Sequence, residues 1–212
     1  MTRPHLLVVA TGTGTEIGKT WWGAATLAAT RAKGSSVAAR KPVQSGTDER
    51  PTDAEVLAGA TGEPVAEVCP PHRWLRPALA PPMAADELGQ PAFTIADLVA
   101  ELEWPDPAVD VGWVEGAGGL RSPLTADGDT LSLVRALAPG FVVVVADAGL
   151  GTINAVRLTV DALGATRAVV ALNRFDPSDS LHRRNRDWLV ERDHCTVVTG
   201  PGELAALLHP RV

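Results

Sequence analysis

A run of five apolar residues, Leu6-Leu7-Val8-Val9-Ala10, leads into Thr11-Gly12-Thr13-Gly14-Thr15-Glu16-Ile17-Gly18-Lys19-Thr20 and then into an alanine-rich, helix-prone segment. A strand, a Gly/Thr loop ending in Gly-Lys-Thr and a helix make a cradle for phosphate. Gly12, Gly14 and Gly18 let the backbone turn its N–H groups toward one anion, and the following helix aims its positive end at the same point. Lys19 supplies a cation for the terminal phosphates of a nucleotide, and Thr20 offers its hydroxyl to a Mg²⁺ ion bridging them. The strict pattern would put glycine at position 13, where Thr13 stands, so the loop counted from Gly12 is one residue longer. An ordinary strand-to-helix turn is the other use for such glycines; the strand in front and the helix behind favour phosphate. A dinucleotide fingerprint would need glycine where Ile17 stands, and the second early lysine of partitioning-type ATPases is missing.

At 212 residues the chain can bury a large core and is expected to form one domain over 1–212. Its net charge of −6 argues against a nucleic-acid surface, because phosphate backbones are bound through clustered Lys and Arg. Lysine is scarce: Lys19, Lys33 and Lys41 are the whole set, and two of them fall in the motifs discussed here. Cys69 and Cys195 form no close pair, and His5, His72, His182, His194 and His209 show no ligand spacing, so neither zinc nor a disulfide framework is indicated. No apolar stretch is long enough to span a membrane, and the N-terminal run is too short for a signal peptide. A cytoplasmic protein without membrane partners is expected.

Short apolar runs recur at 6–10, 36–39, 111–114, 141–146, 168–172 and 196–198, several of them continuous, as in strands buried on both faces. Helical patterns lie between them. The alternation predicts an α/β fold, a P-loop NTPase-like parallel sheet of about seven strands with helices on both faces and ligands at the carboxyl ends of the strands. The proline-rich region 61–92 has no clear period and reads as an extended excursion over the surface.

Other candidate positions fall at strand ends. Lys41 follows the strand-like Val37-Ala38-Ala39 and opens Lys41-Pro42-Val43-Gln44-Ser45-Gly46; it could hold a carboxylate, carbamate or phosphate, with Ser45 adding a hydroxyl donor, or be a surface lysine before a turn. Thr52-Asp53-Ala54-Glu55 reads as a capping box, in which Asp53 is either a first-turn acid suited to the helix dipole or a Mg²⁺ ligand. Glu115, before Gly116-Ala117-Gly118-Gly119, and Asp147 both end apolar strands and fit a metal-holding position equally well. Gly149-Leu150-Gly151-Thr152-Ile153-Asn154 opens a helix whose free N–H groups could bind a carboxylate. Asn173, at another strand end, could read a nucleotide base.

Taken together, TGTGTEIGKT, KPVQSG, TDAEVL, VEGAGG, GLGTIN and ALNRF, in that order, resemble the dethiobiotin synthetases, ATP-dependent carboxylases that close the ureido ring in biotin synthesis. The resemblance covers nearly the whole chain, and the family shares the longer glycine loop. It implies that 7,8-diaminononanoate is carbamylated by CO₂, that the carbamate is phosphorylated by ATP or another nucleoside triphosphate, and that the second amine closes the ring. It implies Thr20, Asp53 and Glu115 around Mg²⁺, which favours Glu115 over Asp147. Lys19 and Lys41 would be catalytic. Gly14, Thr15, Glu16, Ile17, Gly18, Lys19, Thr20, Glu115, Gly118, Asn173, Pro201, Gly202 and Glu203 would bind nucleotide. Thr15, Lys19, Lys41, Ser45 and Gly149 to Asn154 would bind substrate, the last group across a homodimer interface. The competing reading is a regulatory P-loop ATPase switch, which would have no use for Lys41 or Ser45. A related amidoligase would need a further glutamine-hydrolysing domain.

Overall fold

The computed structural model describes residues 2–48 and 51–208. In chain order these form β1 (Leu6–Gly12), α1 (Lys19–Ala32), β2 (Val37–Arg40), β3 (Gln44–Ser45), α2 (Asp53–Thr61), α3 (Val65–Val68), β4 (Trp74–Leu75), α4 (Pro81–Glu87), α5 (Ile95–Ala100), β5 (Val111–Glu115), α6 (Thr130–Leu137), β6 (Phe141–Asp147), α7 (Thr152–Leu163), β7 (Ala168–Asn173), α8 (Ser180–Glu191), β8 (Thr196–Val198) and α9 (Pro201–Leu208). Six strands make one sheet in the order β2-β5-β1-β6-β7-β8, every pairing parallel. The apolar runs of the sequence are these six strands.

Alternate residues of each strand serve opposite cores. Val8 and Ala10 of β1 point with Trp113, Val143 and Val145 into a core closed by Trp22 and Leu27 of α1, Leu57 of α2 and Leu204 of α9. Leu7 and Val9 point with Val114, Val142 and Val144 into the opposite core, closed by Leu98 of α5 and by Leu131 and Leu133 of α6. A third cluster joins Val156 of α7 and Leu189 of α8 to Val170 and Leu172. Continuous apolar strands are the consequence of this two-sided burial.

Two expectations need adjusting. The main sheet has six strands where about seven are expected; β3 and β4 pair with each other in a separate two-stranded sheet. The region 61–92 is also more than a surface excursion. It contributes α3, β4 and α4, and Val68, Cys69, Leu75, Ala84 and Ala85 are buried. Several of its prolines start helices: Pro64 is the N-cap of α3 and Pro81 lies in the first turn of α4, where a missing N–H costs nothing. Among the described residues no helix is long and apolar enough to cross a membrane.

The chain leaves β1 for the β2 edge, returns through β5, and then crosses to β6 on the other side of β1. The order therefore reverses around β1, and the crevice at its carboxyl end is where such sheets hold ligands.

Candidate active site

The loop after β1 is held from both sides. The Gly12 carbonyl accepts from the Leu120 N–H at 3.2 Å, and the Thr13 N–H donates to Val145 at 3.0 Å. Gly18 caps α1 with φ 93°, and a Cβ there would lie 2.3 Å from Nδ2 of Asn173, so only glycine fits. Glu16 is exposed and also has positive φ, 53°, a conformation that a non-glycine residue holds at some cost and that concentrates at ligand clamps. Thr15 beside it is exposed as well.

Four side chains from four elements converge beside this loop. Thr20, in the first turn of α1, donates its hydroxyl toward Oδ1 of Asp53 at 2.7 Å and Oε1 of Glu115 at 2.8 Å. Lys41, past the end of β2, places Nζ 2.7 Å from Oδ2 of Asp53 and 2.8 Å from Oε1 of Glu115, and 3.2 Å from the Gly116 carbonyl. Asp53 is set by the capping box expected from the sequence: Thr52 Oγ1 accepts from the Glu55 N–H and Glu55 accepts from the Thr52 N–H. Glu115 ends β5 next to β1. Burial works against the charge on Lys41, but Glu115 and Asp53 outweigh it and raise its pKa above the ordinary value. The Lys41 ammonium in turn holds the Asp53 carboxyl down at about 2. Lys19 donates to the Gly14 carbonyl at 3.3 Å; burial, and then the like charge of Lys41, lower its pKa. An anion beside the two ammonium groups would relieve that repulsion.

Glu115 is fully buried, and its Oε2 has no hydrogen-bond partner. A carboxylate oxygen buried without a partner is costly, and a hard cation beside it removes the cost. Two carboxylates and a hydroxyl are also the kind of donor set that Mg²⁺ uses when phosphates and waters complete its shell. Among the described residues no group of three or more His, Cys, Asp or Glu could hold a metal by itself. His209 lies outside the described residues.

Lys19, Lys41 and Asp53 floor a cavity of about 790 Å³, shared with Thr15, Ser45, Gly118 and, on the far wall, Ala78 to Pro81. No chemical signal in the sequence marks that wall, since Ala78-Leu79-Ala80-Pro81 carries no polar side chain. Gln44 is likewise unmarked. Its Oε1 accepts from the Ala54 N–H at 3.1 Å, which fixes the amide so that its buried Nε2 is without a partner beside the cavity.

Other candidates stand apart from this cluster. Asp147, which the sequence could not separate from Glu115, accepts from the Gly149 N–H at 2.8 Å and from Arg174 at 3.0 Å. It therefore stabilises the turn into α7. Gly149 to Asn154 do not line the cavity of their own chain, and Leu150 is 92% exposed. Asn173 braces the loop, donating from Nδ2 to the Ile17 carbonyl at 2.9 Å and accepting from the Trp22 indole at 3.2 Å; one N–H and one lone pair are left for a ligand. Pro201 and Gly202 open α9, and Glu203 accepts from the Thr199 N–H at 2.8 Å.

Residues 6–200 match the model of a family described as an AAA domain. The chain is 47% identical over 165 residues to the ATP-dependent dethiobiotin synthetase BioD of Rhodococcus jostii (strain RHA1), covering 75% of this chain and 68% of that protein. It is 39% identical over 207 residues to the ATP-dependent dethiobiotin synthetase BioD of Anaeromyxobacter sp. (strain K), covering 94% and 84%. Among solved structures, the signal recognition particle receptor FtsY of Elizabethkingia anophelis in complex with GDP aligns over 100% of this chain with a TM-score of 0.53. The chain spans 66% of that receptor, and at 13% identity the likeness concerns the fold alone.

Proposed function

The chain belongs to the dethiobiotin synthetase family, within the AAA domain class, and from that premise we propose that it is an ATP-dependent ligase making dethiobiotin from 7,8-diaminononanoate and CO₂. The observation that supports this reading best is the meeting of Thr20, Asp53, Glu115 and Lys41 between a phosphate loop and a cavity large enough for a second substrate. A simple nucleotide switch has no use for a buried lysine facing such a cavity.

In this reading one amine of the diamine adds to CO₂ and loses a proton, giving an N-carbamate. A carbamate oxygen takes the γ-phosphoryl group of ATP and ADP leaves. The second amine then attacks the carbonyl carbon of this carbamic-phosphoric anhydride, expelling phosphate and closing the ring. Lys41 pairs with the carbamate oxygens, and Lys19 bridges them to the γ-phosphate, so that two anions that repel one another are held in line. Ser45 and Thr15 orient the carbamate. Thr20, Asp53 and Glu115 would hold Mg²⁺, which when bound neutralises charge on the phosphates. Positioning and charge stabilisation account for most of the catalysis, with little demand for a protein base.

The substrate carboxylate meets the Gly149 to Asn154 turn of a second copy, so each site of the homodimer is shared. This is tested by complementation. Lys41→Ala and Leu150→Asp should each abolish dethiobiotin formation as detected by mass spectrometry, while both should remain folded. Co-expressed, they should recover activity, up to about a quarter of the sites, because one site of a mixed dimer receives both intact parts. Turnover by folded Lys41→Ala alone would sink the carbamate role, and no recovery in the mixture would sink the shared site.

A further inference from the structure

We propose that Trp21 is the platform on which the nucleotide's base stacks, an inference that rests on the nucleotide reading above. Gly18 is the N-cap of α1, and the helix's first bond runs from the Trp22 N–H to the Gly18 carbonyl at 3.0 Å. The N–H groups of Lys19, Thr20 and Trp21 thus belong to the unsatisfied first turn and face the phosphate seat. The buried, unpartnered Oε2 of Glu115 next to Thr20 points independently to a ligand at this seat.

The two ends of a bound nucleoside triphosphate can be told apart. Its terminal phosphate belongs with Lys19 and Lys41, because these floor the cavity where the second substrate lies. Trp21 is not among the residues of that cavity. It follows Thr20 directly in the first turn of α1, next to the phosphate seat but outside the cavity that takes the second substrate. Trp21 is 55% exposed, whereas Trp22 is 1% exposed. The two rings meet edge to face, with centroids 5.8 Å apart and an interplanar angle of 87°. Trp22 in turn donates its indole N–H to Asn173, which holds the loop carbonyl of Ile17. The exposed indole therefore leans on a buried ring that is itself tied to Asn173 and, through it, to the loop. A base leaving the phosphate seat thus meets an exposed ring whose edge-to-face contact with Trp22 restricts its motion and lowers the ordering cost of stacking.

Stacking is tolerant of base identity, since every base has a π face. Trp21 therefore contributes affinity for nucleoside triphosphates as a class, and discrimination among them falls to hydrogen-bonding groups such as Asn173. Calorimetric binding of ATP, CTP and inorganic tripolyphosphate to the full chain, with Trp21→Ala and Trp21→Phe alongside, tests this. Trp21→Ala should weaken ATP and CTP by about tenfold or more while changing tripolyphosphate less than about twofold, and Trp21→Phe should restore most of the loss. Equal weakening of tripolyphosphate, no effect on either nucleotide, or a change in oligomeric mass in place of a change in nucleotide affinity would overturn the proposal. If the parent protein binds none of the three, the phosphate cradle itself fails, and the base platform with it.

Discussion

At the scale of residues, the site turns on one ammonium group shared by two carboxylates. Asp53 and Glu115 alone beside a phosphate would repel it; Lys41 makes their juxtaposition tolerable and Thr20 places its one hydroxyl proton within reach of either. The sequence shows each of these residues at a strand end or helix start, and so marks all four. It cannot choose between Glu115 and Asp147, because both end apolar strands; the choice is made by β5 lying against β1 while Asp147 turns back to Gly149 and Arg174. The pairing with Lys41 has a consequence for acid stability. The Asp53 carboxyl lies at about 2 in the folded chain, against an ordinary 3.8. A depressed carboxyl stabilises the fold above the unfolded value, and that support is lost as the pH falls from about 4 toward about 2. The Asp53 side chain is 43% exposed, so solvent screening keeps the effect modest. Denaturant midpoints of Asp53→Asn should thus lie below those of the parent at neutral pH, with the gap closing below about pH 4. A gap that stays constant or widens in acid would show that the pair does not act this way.

At the scale of elements, a cap decides where a functional acid stands. Asp53 is the first residue of α2, and the reciprocal bonds between Thr52 and Glu55 fix the helix start. Thr52→Ala removes the side-chain acceptor and should cost about 1 kcal/mol of unfolding free energy, with weaker metal-dependent nucleotide binding as Asp53 loses its fixed position. An unchanged denaturation midpoint would show that the cap is not needed. Such local signals explain why α1, α2 and the strands of the main sheet are legible in the residues alone. The elements the sequence hides, α3, β4 and α4, are short, the two helices begin at prolines, and all three are held by packing of Val68, Leu75 and Ala84 into the two cores. The same holds for Ala78 to Pro81, which shape the cavity without any polar group.

At the scale of the whole molecule, the parallel sheet brings its carboxyl ends to one rim, and the reversal of strand order around β1 opens the crevice there. The phosphate loop, Lys41 and Glu115 meet on that rim because β1, β2 and β5 are neighbours in the sheet, although Lys41 and Glu115 are 74 residues apart in the chain. The Gly149 to Asn154 turn lies outside this meeting point in a single copy, which is why the proposed chemistry requires two. The central claim is that phosphoryl transfer here is coupled to the second substrate. The most direct test is phosphate release by the purified protein with Mg²⁺, ATP, bicarbonate and 7,8-diaminononanoate, leaving out one component at a time. Release that needs both bicarbonate and the diamine, with dethiobiotin seen by mass, is the result expected; release indifferent to the diamine would contradict the account and return Lys41 to a structural role in a nucleotide switch.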